Sequence, residues 1–364
     1  MNQIEGKPLF HVDLILLLLV CLACSIGLVV VYSASGGNTD IVFKHGVRIS
    51  AGLIAMLLVA QVPPVVLKRH TPKLYLFAFF LLVAVLIIGV VGKGAQRWLD
   101  LGFMRIQPSE FMKLAMPLMV AWWINKYPLP VKFKQLVVSL LLVVVPTILI
   151  MLQPDLGTAL LIASSGIVVI FLAGISWVYI GVAAGSVIVS APIMYYFVLH
   201  DYQRQRILTL FNPWQDSSDT GYHIIQSMIA IGSGGLTGKG WISGTQAQLD
   251  FLPERHTDFI FSVFAEEFGF IGFLLLMVMY LVIVFRGIYI SLNTRSVFAR
   301  LLSGSITLTF FFYVFVNIGM VAGVLPVVGV PLPLVSYGGT SMVTLMIGFG
   351  MLMSVKSHRD VVAH

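Results

Sequence analysis

Two stretches of this chain, residues 156–199 and 301–355, contain no Asp, Glu, Lys or Arg. Each is more than twice the roughly 20 apolar residues that cross a bilayer at 1.5 Å rise per residue. Such runs fold as paired membrane helices, because backbone polar groups in hydrocarbon must be satisfied within the segment itself. Of the 364 residues, 59% are hydrophobic and 10% charged, against about 25% charged in soluble domains. With a mean hydropathy of +0.98, this excludes a soluble enzyme and a disordered chain. A transmembrane β-barrel would need short alternating segments rather than unbroken apolar runs. The expected fold class is an all-α polytopic membrane protein, a single domain over residues 1–364.

Charges punctuate the rest of the chain at span-like intervals. Leu14–Tyr32 is the first expected span, longer than a signal-peptide core and followed by many others. Ile49–Leu67 contains the second, cut short by Pro63-Pro64. Leu74–Val91, the short Phe111–Asn125 and Gln135–Leu152 come next. Ala173-Gly174-Ile175-Ser176 divides 156–199 into spans six and seven. Phe268–Phe285 is most of span eight, with a start near Asp258. Pro326, Pro331, Pro333 and Gly338-Gly339 divide 301–355 into spans nine and ten. About ten spans put both termini on one face, with one large extracytoplasmic loop, residues 199–257, between spans seven and eight.

The face that bears the termini collects Lys7, Lys68, Arg69, Lys73, Lys126, Lys132, Lys134, Arg286, Arg295, Arg300, Lys356 and Arg359. Of the 15 acidic residues it holds only Glu5, Asp13 and Asp360. The positive-inside rule places that face, and both termini, in the cytoplasm. The net charge of +7 is then read as topology plus an anionic ligand, with no nucleic-acid partner. Outer loops should be poor in Lys and Arg, yet the loop before span four carries Lys93, Arg97 and Arg105. The largest loop carries Arg204, Arg206, Lys239 and Arg255. Two readings stand. These cations pair with Asp100, Asp201 and Glu254 on a solvated surface, or they form a site for a phosphate-bearing ligand at the outer leaflet.

Four outer segments concentrate polar chemistry. In Gln107-Pro108-Ser109-Glu110-Phe111-Met112-Lys113, Pro108 and Ser109 suit a helix start. Glu110 and Lys113 face each other at i, i+3. They either fix the helix as an ion pair, or leave Lys113 to hold a phosphate or tune a carboxylate. In Gln153-Pro154-Asp155-Leu156-Gly157-Thr158, Asp155 fits the N-cap of span six. In Leu249–Phe261, Asp258 is either a first-turn carboxylate favoured by the helix dipole or a general base at the water–lipid boundary. On a continuous helix, Ser262, Ala265, Gly269 and Gly272 would share its face as a small-residue stripe. The fourth segment, Val327–Ser341, is irregular backbone that must be buried or line a wet cavity. Trp98 reads as an interface anchor or a stacking platform.

Other patterns carry less. Ser233–Gly240 looks like a phosphate-binding loop, but Ser233 and Gly240 replace its required Gly and Ser/Thr. Cys21 and Cys24 are spaced C-x-x-C inside an apolar run and read as packing. No dedicated metal cluster is expected, and no cofactor beyond a divalent cation, Mg or Mn, that could share a phosphate's charge.

Together, Gly94–Asp100, Gln107–Lys113, Gln153–Thr158, Leu249–Phe261 and Asn317–Ser341 resemble the SEDS family (shape, elongation, division and sporulation) over nearly the whole chain. Pro326–Pro333 is similar to the elongation branch rather than the division branch. The resemblance implies a peptidoglycan glycosyltransferase in the bacterial cytoplasmic (inner) membrane, active on the periplasmic or extracellular face. Its implied substrate is lipid II, polymerised with inversion and release of undecaprenyl pyrophosphate. Its implied partners are a class B penicillin-binding protein (a transpeptidase) and the rod complex of MreB, MreC, MreD and RodZ. The family's essential carboxylate falls on Asp258, and its functional Trp, Glu and Lys fall on Trp98, Glu110 and Lys113. Arg48, Arg97, Arg105, Lys113, Lys239 and Arg255 are candidates for the pyrophosphate, with Gln107 and Asp155 beside them. A lipid II flippase and a non-catalytic scaffold are the alternatives. Glu266 and Glu267, the ionisable pair deeper in span eight, bear on transport.

Overall fold

In a computed structural model, residues 11–92, 95–100, 102, 105–199, 201–215, 220–249, 251–252 and 254–358 are described. Expectations for Glu5, Lys7, Lys93, Gly94, Pro253, Arg359 and Asp360 lie outside the described residues. The helices are α1 (Leu14–Ala34), α2 (Thr39–Ala60), α3 (Pro64–Ile88), α4 (Pro108–Ile124), α5 (Phe133–Met151), α6 (Leu156–Leu172) and α7 (Trp177–Ile193). Then come α8 (Asp201–Phe211), α9 (Thr220–Ser233), α10 (Thr245–Gln248), α11 (Ile260–Leu292), α12 (Val297–Val321) and α13 (Thr340–Ser357). Strands β1 (Val90–Gly92), β2 (Ala95–Asp100) and β3 (Arg105–Ile106) form an antiparallel sheet in order β1-β2-β3 between α3 and α4.

Among the described residues, 8 helices are long and apolar enough to cross a membrane. They are α1, α2, α3, α5, α7 with its continuation to Phe197, α11, α12 and α13. Helix α6 is apolar at 17 residues, and α4 has the same length with a polar first turn. The chain is therefore an integral helical membrane protein. The breaks fall where turn chemistry puts them. Ser176 caps α7 after the expected 173–176 turn, its Oγ accepting from the Val178 N–H at 3.4 Å. Asn38 caps α2, accepting from Asp40 and Ile41 N–H at 3.0 and 3.3 Å.

Two expectations need correction. The second span begins at Thr39, ten residues before Ile49, so Lys44, His45 and Arg48 lie inside α2. Apolar content alone hid this start, because His45 and Arg48 pack on Tyr337 in the loop before α13. Second, Asp258 does not begin a continuous helix. It sits in a turn, residues 254–259, ahead of α11. Helix α11 itself breaks at Gly269, whose φ of 63° and ψ of −162° are outside helical space. The stripe from Asp258 through Gly272 is therefore not one helical face.

The break is filled by the turn that follows α9. The Lys239 and Gly240 N–H groups donate to the Glu266 and Glu267 carbonyls at 3.0 and 3.1 Å. The Phe270 and Ile271 N–H groups donate to the Gly235 and Leu236 carbonyls at 2.9 and 3.0 Å. Four backbone groups freed by the break are thus satisfied from outside the helix, as hydrocarbon depth demands. This explains the glycines of Ser233–Gly240. At Gly234 a Cβ would lie 3.1 Å from the Ala265 carbonyl carbon and from the Glu266 Cα, so only glycine admits the approach. The phosphate-loop likeness is a docking turn.

At the opposite end, Asp13 joins three helices. It caps α1, accepting from Leu16 N–H at 2.8 Å. Its carboxylate also takes Arg286 of α11 at 2.7 Å and Lys356 of α13. Burial opposes ionisation of Asp13, but Arg286, Lys356 and the Leu16 N–H outweigh it and hold its pKa below the ordinary value. A depressed folded-state pKa contributes stability above the unfolded value, near 3.9, that is lost as pH falls through the folded value. Thermal unfolding in detergent is expected to lose stability below about pH 4, and Asp13→Asn to lower stability at pH 7 while flattening that acid limb.

Candidate functional site

The turn that carries Asp258 gives three consecutive carbonyl oxygens to the segment between α12 and α13 and to α12 itself. The Tyr337 N–H donates to the His256 carbonyl at 2.9 Å. Ser336 Oγ donates to the Thr257 carbonyl at 2.7 Å and accepts from Leu332 N–H at 2.7 Å. Asn317 Nδ2 donates to the Asp258 carbonyl at 2.9 Å. The Asp258 side chain is half-buried and faces Gly329, where an added Cβ would lie 3.4 Å from Oδ2. Gly329 has φ of 70°, a left-handed conformation that glycine adopts without strain. A β-substituent there would touch the carboxylate and sit on strained backbone.

Tyr337 is the second fixed point. Arg48 of α2 lies over its ring at 4.5 Å from the centroid, a cation–π contact worth about 0.5–2 kcal/mol. The His45 and His256 rings flank it at 5.6 and 5.7 Å. Arg48 is half-buried, and Arg255, three residues before Asp258, is half-buried too. These two cations are placed at the Asp258 turn and the loop that holds it.

A groove runs between α4, α12, α13 and the Pro331–Ser336 stretch. Its lining is mostly apolar, with Lys113, Tyr313, Thr309, Ser336, Ser341 and Thr344 as polar groups. At this groove Lys113 Nζ and Glu110 Oε1 are 2.7 Å apart. Ser341 Oγ donates to the same Glu110 oxygen at 3.1 Å. Glu110 Oε2 and Thr309 Oγ1 are buried without a hydrogen-bond partner among the described residues. Lys113 also lies 5.5 Å from the Tyr313 ring centroid. The i, i+3 pairing expected from sequence is therefore present, and it faces an apolar groove with unsatisfied polar atoms.

The remaining candidates are committed elsewhere. Arg97 donates to the Gln153 carbonyl at 3.2 Å and to the Pro154 carbonyl, and lies 3.7 Å from Asp155. Gln107 Nε2 donates to Asp155 at 3.3 Å, and Asp155 caps α6 by accepting from Thr158 N–H at 3.3 Å. These residues clamp β2 and the start of α4 onto the α5–α6 turn. Trp98 is half-buried in β2 and packs over Gly92, where a Cβ would lie 3.0 Å from Trp98 Cδ1. Arg105 pairs with Asp100 at 3.0 Å on an exposed strand edge. The Gly102 N–H and Arg105 hold the Asp100 carboxyl below its ordinary pKa. Lys239 pairs with Glu266 at 2.7 Å, so its ammonium serves the α11 break rather than the Asp258 turn. Cys21 and Cys24 are free cysteines on α1. Among the described residues, no group of three or more His, Cys, Asp or Glu could hold a metal ion.

Sequence reasoning missed His45, Asn317 and Tyr337 as parts of this site. Asn317 had a readable signal, a strongly polar side chain inside an uncharged span.

A family profile described as cell cycle protein, covering FtsW, RodA and SpoVE, matches residues 13–361. The chain belongs to this family. It is 50% identical over 353 residues to the peptidoglycan glycosyltransferase MrdB of Escherichia coli K12, covering 97% of this chain and 95% of that protein. It is 35% identical over 365 residues to stage V sporulation protein E of Bacillus subtilis, covering 95% and 97%. Among solved structures, it matches a chain of a peptidoglycan synthase complex that coordinates polymerization and crosslinking, with TM-score 0.84, 30% identity and coverage of 96% and 98%. It also matches the rod shape determining protein RodA of Thermus thermophilus, with TM-score 0.73, 28% identity and the same coverage.

Removing one partner of a buried pair strands the other charge. Lys113→Met is expected to destabilise the protein by about 3–5 kcal/mol, read by thermal unfolding in detergent. The double variant Glu110→Gln/Lys113→Met should lose less, because no unpaired charge is left behind.

Proposed function

We propose that this chain is a peptidoglycan glycosyltransferase that polymerises lipid II into glycan strands, with Asp258 as its general base. The observation that carries the reading is the placement of Asp258. Its turn is fixed through three consecutive carbonyls, its carboxylate stays half-buried, and Arg48 and Arg255 stand at the same turn and loop. The 50% identity to an enzyme named peptidoglycan glycosyltransferase supports the same activity.

In this reading Asp258 takes the proton of the acceptor sugar's 4-hydroxyl as that oxygen attacks C1 of the donor MurNAc with inversion. The bond from C1 to the pyrophosphate breaks, and undecaprenyl pyrophosphate leaves as an anion. A pyrophosphate is a weakly basic leaving group, so it needs charge stabilisation more than a strong acid. Arg48, Arg255 and Lys113 are the candidates for that task, because they stand at the Asp258 turn, the loop that covers it and the groove beside that loop. The apolar groove beside Lys113 suits a lipid tail. Chelating Mg and Mn in the same assay reports whether a divalent cation shares the charge.

The proposal includes ten spans, counting α4 and α6, with both termini cytoplasmic and the Asp258 turn on the outer face of the inner membrane. It also includes a class B penicillin-binding protein as crosslinking partner and association with MreB, MreC, MreD and RodZ. Glu266 and Glu267, the carboxylates that bear on transport, each use one oxygen to hold the outer loop. That arrangement favours polymerisation over a flippase.

The test is lipid II polymerisation by purified protein with its class B partner, comparing wild type with Asp258→Ala. Polymer from wild type, and at least about 10²-fold less from a folded Asp258→Ala that still binds its partner, is expected. Equal polymer from both would remove Asp258 as the base.

A further inference from the structure

We propose that Asn317 is a positioning residue for the reaction, setting the distance between Asp258 and the wall its carboxylate faces. The inference rests on the assignment of Asp258 as base. Asn317 lies on α12 and is fully buried. Its Nδ2 donates to the Asp258 carbonyl at 2.9 Å and to the Val330 carbonyl at 2.6 Å. One amide group therefore spends both of its hydrogens on two chain segments. The flipped orientation would aim Oδ1 at two carbonyl oxygens, so this geometry has one solution.

The other amide atom, Oδ1, is buried without a partner among the described residues. An unpaired acceptor at that depth is costly. An apolar residue would avoid this cost, so the two donor bonds are what the asparagine contributes. Their targets are telling. Val330 is the neighbour of Gly329, and an added Cβ at Gly329 would lie 3.4 Å from Asp258 Oδ2. The same amide thus holds the main chain of the base and the main chain beside its carboxylate.

The His256 and Thr257 carbonyls are held separately, by Tyr337 N–H and Ser336 Oγ. Loss of Asn317 should therefore loosen Asp258 without freeing the turn. That predicts a defect in turnover rather than in binding, since misplacing a reacting group by about 1 Å can cost about 10²-fold in rate.

The experiment is steady-state lipid II polymerisation by full-length protein with its partner, for wild type, Asn317→Asp, Asn317→Ser, Asn317→Ala and Asp258→Asn, with thermal unfolding of each. Asn317→Asp keeps the shape and loses the donors. Asn317→Ser keeps one shorter donor. Folded Asn317→Asp and Asn317→Ala should lose about 10–10²-fold in kcat with KM within about twofold, and Asn317→Ser should recover part of the loss. Unchanged kcat in folded variants, beside an inactive Asp258→Asn, would overturn this inference alone. A raised KM with unchanged kcat would also overturn it, making Asn317 a substrate contact. Failure of all three Asn317 variants to fold would make the residue structural and overturn it too. If Asp258→Asn polymerises normally, the base assignment fails and the Asn317 inference goes with it.

Discussion

Three neighbouring carbonyl oxygens, those of His256, Thr257 and Asp258, cannot be left bare in a half-buried turn, and the surrounding architecture is arranged around their donors. Each takes a different kind of donor: a backbone N–H from Tyr337, a hydroxyl from Ser336 and a side-chain amide from Asn317. All three come from α12 or the loop before α13. That loop is irregular, so it must be buried or line a cavity, and here it does both. It covers the Asp258 turn on one side and walls the Lys113 groove through Pro331–Ser336. The turn, the groove and the Arg48 contact on Tyr337 therefore share one scaffold.

The half-helix that follows Asp258 is equally constrained at its far end. Breaking α11 at Gly269 frees backbone groups that hydrocarbon will not solvate. The glycine turn after α9 supplies donors and acceptors to them, and Lys239 neutralises the buried Glu266 that sits there. Glu266 also accepts from Thr245 Oγ and Gln246 N–H, at 3.0 and 3.1 Å. The long segment between α7 and α11 is thus bonded to the same half-helix that continues from the Asp258 turn. A ligand or partner that shifts this loop would act on the turn through covalent chain and backbone hydrogen bonds, the contiguous kind of network that can carry coupling.

Much of this was legible in the sequence, where the cause is local. The 173–176 turn, the Asp155 cap and the Glu110–Lys113 pair follow from spacing and residue type. The two uncharged runs gave the membrane class outright. What stayed hidden depends on contacts between distant segments. Asn317 meets Asp258 across 59 positions, and Lys239 meets Glu266 across 27. No periodicity encodes either meeting. The same is true of Arg48, whose charge argued for a loop and whose Tyr337 partner lies near the other end of the chain. The cations Arg97 and Lys239 looked available in sequence because their acceptors, two carbonyls and a buried glutamate, leave no local signature.

The central claim is that Asp258 is held where an acceptor sugar's hydroxyl arrives. The most direct measurement is a cryo-electron microscopy structure of the Asp258→Asn protein, in a lipid nanodisc with its partner and bound lipid II. The acceptor 4-hydroxyl is expected within hydrogen-bond reach of the residue-258 side chain, about 2.6–3.2 Å, with the pyrophosphate toward Arg48, Arg255 or Lys113. Substrate bound away from the 254–259 turn, or a sugar hydroxyl separated from that side chain by intervening protein, would contradict it.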